Sequence, residues 1–210
     1  MEWSGPKTTA VGGIGTLSSK YESSGNPGTV AHIPGDIGGA SYGTYQLATN
    51  TGSVNSFVNY LKNVSPSMYQ QLAGKKPGTA AFDAAWKKVA ASSPQQFNSL
   101  QHEYMRQGTF APAVSKIVKS TGLDVSKRSE ALQSVLWSTA TQHGVGGANK
   151  VFKNAGISPN MSDSEIIRRI YTERAANNGM KYFPSSSPSV RSGVVKRFKS
   201  EVNDALGMLR

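Results

Sequence analysis

Two hundred and ten residues are enough for one domain or two small ones, and a domain of this size buries roughly 70% of the surface its unfolded chain exposes and needs no covalent staple. The absence of cysteine excludes disulfide frameworks, thiolate metal sites and cysteine nucleophiles, and no apolar run approaches the ~20 residues of a membrane span. With 23 Lys+Arg against 12 Asp+Glu the chain carries +11, a balance that predicts a polyanionic partner: nucleic acid, an acidic membrane face or a bacterial envelope.

Residues 1–15 are rich in Gly and Thr and read as a lead-in or linker, without the basic leader and apolar core of a signal peptide. A short helical turn is expected over Thr16–Tyr21. Residues 23–47 are dense in Gly, Pro, Asn and Ser, which cannot sustain a helix. Their β-prone pieces, Thr29–Ile33 and Ser41–Leu47, predict a small hairpin or three-stranded flap closed by Pro34-Gly35 and Gly38-Gly39.

Beyond Asn50 the period changes to that of helices. Ser53–Asn63 carries Val54, Phe57, Val58 and Leu61 at i, i+3, i+4, i+7 spacing, and Pro66–Ala73, Thr79–Ala91, Pro94–Gln107 and Ala111–Ser120 continue the pattern. Lys127–Gln142 turns Ala131, Val135, Leu136 and Trp137 inward, and Gly144–Asn154 is a further short helix. Ser162–Asn177 opens with a Ser162/Glu165 capping box, and Ser189–Leu209 closes the chain. The expected fold is α+β and mainly helical, a single domain over 16–210 with a β flap near its N-terminus.

Most acids fall on helix faces or caps, Asp163, Glu165, Glu173, Glu201 and Asp204 among them. Glu22 and Asp36 differ. Glu22 sits where a helix gives way to a Gly/Pro/Ser turn, and beside Tyr21 it can be partly desolvated and held protonated as a general acid. Asp36, fourteen residues on in the flap, can hold a water or stabilise positive charge at a sugar carbon. The bland alternatives are a helix-end Glu22 paired with Lys20 and an Asp36 that closes an Asx-turn.

KYESSGNPG (20–28) followed by GDIGGASYGTYQLA (35–48) resembles the signature of lysozyme-superfamily peptidoglycan glycosidases, which include phage endolysins, lytic transglycosylases and related chitosanases. The pattern E-S-x-x-N-P falls on Glu22, Ser23, Asn26 and Pro27, and the Gly-rich hairpin on Gly39, Tyr42, Gly43, Tyr45 and Gln46. Looser support comes from VLWSTATQHG, Val135–Gly144. The hairpin reads Tyr45-Gln46-Leu47 where lytic transglycosylases have Met-Gln, and Asp36 has no counterpart in those single-glutamate enzymes.

The resemblance implies a lysozyme-like fold and a phage or prophage muramidase-type glycosidase, with Glu22 and Asp36 catalytic. Substrate contacts are then expected from Tyr42, Tyr45 and Gln46 on the flap, and from Gln142 and His143 at a helix end. Gly39 and Gly43 would let backbone approach a sugar ring. Glu103 is the reserve second carboxylate. His32, His102 and His143 are isolated, so neither a metal nor another cofactor is expected.

The expected partners are peptidoglycan strands and the anionic envelope, met by a monomer delivered through holin-type release or as part of a virion. A polycationic chitosan would be repelled, which places chitosanase activity second. Basic residues are scattered as pairs such as Lys87-Lys88 and Arg168-Arg169, with no nucleic-acid-binding motif. The alternative of another class is a non-catalytic virion or envelope-binding module with the same fold.

Overall fold

A computed structural model describes residues 26–32 and 38–210. Glu22, Asp36, the lead-in and the Thr16–Tyr21 turn lie outside the described residues. The flap is a three-stranded antiparallel sheet of two-residue strands, β1 (Val30–Ala31), β2 (Ser41–Tyr42) and β3 (Leu47–Ala48), in sequential order. Val30 lies opposite Tyr42, and Tyr42 opposite Leu47. The turn between β2 and β3 uses positive φ at Gly43 (75°) and at Gln46 (52°). A non-glycine residue there is uncommon and marks a backbone held by its surroundings.

Eight helices follow among the described residues: α1 (Ser53–Val64), α2 (Pro66–Leu72), α3 (Ala80–Ser92), α4 (Pro94–Met105), α5 (Ala111–Thr121), α6 (Glu130–Asn154), α7 (Asp163–Arg174) and α8 (Pro188–Gly207). Their starts follow from local chemistry. Proline opens α2, α4 and α8, where its missing N–H costs no bond. Thr79, Ser129, Ser162 and Ser187 cap α3, α6, α7 and α8 by accepting from the N–H three residues on. In the Ser162 box only that half forms, since Glu165 turns to Arg169.

Four boundaries differ from expectation. A π-helical segment, Arg106–Phe110, joins α4 to α5 without a break, and Phe110 is buried against Trp137. Lys127 belongs to a short 3-10 turn, Val125–Lys127, so α6 begins three residues late, at Glu130. Past Gln142 the helical hydrogen bonding runs on to Asn154 across a kink at Gly144 (φ 69°, ψ 172°), the point at which two helices were expected. α7 stops at Arg174, three residues before the expected Asn177, and Asn177, Asn178 and Gly179 beyond it all take positive φ.

One core runs through the described residues. At the sheet end an aromatic group, Tyr42, Phe57, Phe82, Trp86 and Phe97, packs edge-on or tilted, with Trp86 and Phe97 rings 4.8 Å apart. At the other end α6 is central, with α5 and α7 against it and α8 closing over α6 and α7. Full burial of each such side chain stabilises by roughly 1.5–3 kcal/mol, which makes the aromatic group a rigid support for the sheet.

Candidate active site

The Asn26-Pro27-Gly28 turn begins four residues beyond Glu22 in the chain. Asn26 Oδ1 accepts from the Gly28 N–H at 2.9 Å, closing an Asx-turn. The Pro27 carbonyl accepts two buried side-chain donors, Trp86 Nε1 at 2.9 Å and Gln101 Nε2 at 3.1 Å. The end of the first motif is thereby fastened to α3 and α4.

The second motif meets the same glutamine. Gln101, fully buried, accepts at Oε1 from the Thr44 N–H at 2.9 Å, and the Gly43 N–H donates to the Thr29 carbonyl at 2.8 Å. A Cβ on Gly43 would lie 2.1 Å from Gln101 Oε1, and one on Gly39 would lie 2.3 Å from Thr49 Oγ1. Internal packing and positive φ account for both glycines, where the sequence had suggested close approach to a sugar.

Tyr42 is fully buried. Its hydroxyl donates to Asp83 Oδ1 at 2.6 Å and accepts from the Gly78 N–H at 2.7 Å, so no ring face is open for stacking. Burial, then the Asp83 hydrogen bond, raise its pKa. His32, whose side chain is half exposed, pairs through Nε2 with Asp83 Oδ2 at 2.7 Å. On the far side of residues 33–37 the Gly38 carbonyl accepts from the Asn50 N–H at 2.9 Å. Both flanks of the stretch that carries Asp36 are therefore anchored.

Tyr45 is largely buried beneath Trp137, its hydroxyl 2.7 Å from His102 Nδ1, and the His102 ring stacks on Trp137 at 4.5 Å. Desolvation lowers the His102 pKa. Gln46 is half-buried; its Oε1 accepts from Ser41 Oγ at 2.7 Å and its Nε2 donates to the Gly43 carbonyl. Glu103 takes a two-pronged bond from Arg106, 2.7 Å each, and a third from Gln107. Those donors hold its carboxyl below the usual range, which suits an anion and not a proton donor.

Gln142 and His143 face inward. Gln142 Oε1 accepts from the Arg174 guanidinium, and His143 packs against Tyr182 and Phe183 with Nε2 buried and without a hydrogen-bond partner among the described residues. Desolvation, reinforced by Arg174, lowers the His143 pKa to about 3. Arg174 and Glu201 are both fully buried. Glu201 accepts from Tyr171 at 2.9 Å and Ser138 at 3.0 Å, is paired by Arg197, and lies 3.5 Å from Arg174, which stacks on Phe198. Glu201 is thus an interior group and not the helix-face acid expected. Gln101, Asp83 and Arg174 were not singled out in the sequence.

A family model for the C-terminal region of type VI secretion system spike proteins of the VgrG3-like kind matches residues 14–202. The chain belongs to that VgrG3-like C-terminal family. The family is one of secretion spikes, where the motifs had pointed to a phage or prophage lysin. Within it, the type VI secretion system spike protein VgrG3 of Vibrio cholerae is 31% identical over 191 residues, covering 90% of this chain and only 18% of that much longer relative.

Among solved structures, a chitosanase complex superposes with a TM-score of 0.57 at 19% identity, covering 87% of this chain and 86% of the other. A Gynuella sunshinyii GH46 chitosanase with chitotetraose gives 0.60 at 16% identity, covering 87% and 81%. This VgrG3-like domain therefore has a lysozyme-like fold of the chitosanase kind, mainly helical with a small sheet.

Proposed function

We propose that the domain cleaves the glycan strands of bacterial peptidoglycan as a muramidase-type β-1,4 glycosidase. Glu22 protonates the glycosidic oxygen, and Asp36 orients water or stabilises the oxocarbenium-like state. The observation that carries this reading is the meeting of the two motif halves: Pro27 of E-S-x-x-N-P and Thr44 of the Gly-rich hairpin are held by one buried side chain. Of the flap contacts expected for a saccharide, Gln46 is half-buried whereas Tyr42 and Tyr45 are buried, and the reading calls for neither a metal nor an organic cofactor.

The family supports delivery as the C-terminal part of a secreted spike in place of holin release or a phage virion, and a spike complex in place of a free monomer. The charge of +11 supports an anionic wall as substrate. The chitosanase neighbours favour chitosan as the second substrate to test, against which the same charge argues.

Zymography on purified walls tests the assignment. Glu22→Gln is expected to lose about 10²–10⁴ in rate at unchanged melting temperature, and lysis within twofold of wild type removes Glu22 from the site. Asp36→Asn keeps a turn hydrogen bond but not the charge, so deep impairment is expected if Asp36 is the second carboxylate. Full activity, or products ending in 1,6-anhydromuramic acid, would make the enzyme a transglycosylase that uses one glutamate.

A further inference from the structure

We propose that Gln101 is the positioning residue of the site, clamping the Asn26-Pro27-Gly28 turn that closes the first motif to the Gly-rich hairpin of the second; the inference rests on Glu22, in that first motif, being the general acid. Gln101 lies on α4, far from both motifs in sequence, and its two polar ends serve one motif each. Nε2 donates to the Pro27 carbonyl, five residues from Glu22, and Oε1 accepts from Thr44, two residues before Gln46.

Three features separate this from ordinary core filling. The site is fully buried, so an amide that lost either partner could not be rescued by water. The Gly43 backbone closes directly over Oε1, leaving room for no side chain. Trp86 supplies the second donor to Pro27, and its ring packs against Phe57 and Phe97, so the turn is held by a donor that cannot swing away. Only a side chain with a donor and an acceptor on one planar head satisfies both ends, and among uncharged residues of this length only glutamine provides it.

Two substitutions at one position separate positioning from packing. Gln101→Met fills the same space and keeps neither bond. Gln101→Glu regains both bonds when protonated, its O–H donating to Pro27 and its carbonyl accepting from Thr44, and burial raises the pKa at which that occurs. On a soluble peptidoglycan oligosaccharide, Gln101→Met should lose about 10- to 100-fold in kcat with KM within about threefold, since small misplacement of a catalytic group costs on that order.

The Gln101→Glu variant should recover towards wild type, relative to Gln101→Met, as pH falls. A Gln101→Met protein with wild-type kcat, or a Gln101→Glu to Gln101→Met activity ratio that is flat with pH, overturns the proposal. Hydrogen exchange at residues 26–29 and 43–46 gives a readout independent of activity. Both segments should exchange at least tenfold faster in Gln101→Met while the amides of α7 do not change, and equal rates overturn the clamp. Wild-type protein inert on every glycan, with the exchange result as expected, would sink the enzymatic reading and leave the clamp standing.

Discussion

Gln101 Oε1 lies 2.1 Å from the point where a Cβ on Gly43 would project, with Trp86 Cζ2 3.0 Å from the same point. The glycine of the hairpin and the glutamine of α4 therefore require each other. Gly43→Ala also places a side chain at φ 75°, a conformation that costs of order 1–3 kcal/mol. Urea unfolding should show at least that loss. In a double-mutant cycle, Gly43→Ala combined with Gln101→Ala should cost less than the two single losses added. Strict additivity would mean that the two residues do not interfere.

Glu201 neutralises Arg174 where neither reaches solvent. Removing one partner of such a pair leaves an uncompensated buried charge and destabilises by roughly 3–5 kcal/mol. Glu201→Gln should show it in chemical denaturation, and Arg174→Met combined with Glu201→Leu should regain most of the loss. A single variant as stable as wild type would contradict the described packing of α6, α7 and α8.

His143 stays neutral in the folded protein down to a pKa of about 3, because its ring is desolvated and Arg174 is close. The unfolded chain takes up that proton near pH 6.5. The unfolded state thus binds more protons between the two values, and stability falls as pH drops from about 6.5 towards 3. His143→Gln should flatten this part of the melting-temperature profile, and an unchanged slope would assign the acid sensitivity to other groups.

Wall capture by the +11 charge predicts salt dependence. Lysis of intact walls should fall as ionic strength rises to physiological, where the Debye length is ~8 Å, while cleavage of a short neutral oligosaccharide changes much less. Equal sensitivity would detach the charge from wall binding.

The period of the apolar stripes made the helices legible, and turn residues made the sheet legible. What escaped was polar residues that ride those stripes. Gln101 stands four residues after Phe97, Arg174 four after Ile170, and Glu201 three after Phe198, all on buried faces. The sequence shows a polar residue at a core position, but its partner lies on another element, and no spacing rule gives that. Tyr42, Gln142 and His143 show the converse: residue types that suit a saccharide cleft serve equally inside the protein, the first two through hydrogen bonds and His143 through ring packing. The kink at Gly144 was visible as a Gly-rich break, whereas the π segment, where Phe110 packs on Trp137 from a distant element, carried no such mark.

Mass spectrometry of the muropeptides released from purified peptidoglycan tests the central claim most directly. Wild-type protein is expected to release disaccharide muropeptides with a free reducing-end muramic acid, and the Glu22→Gln protein none above background. Intact glycan strands after prolonged incubation with folded wild-type protein would contradict the account.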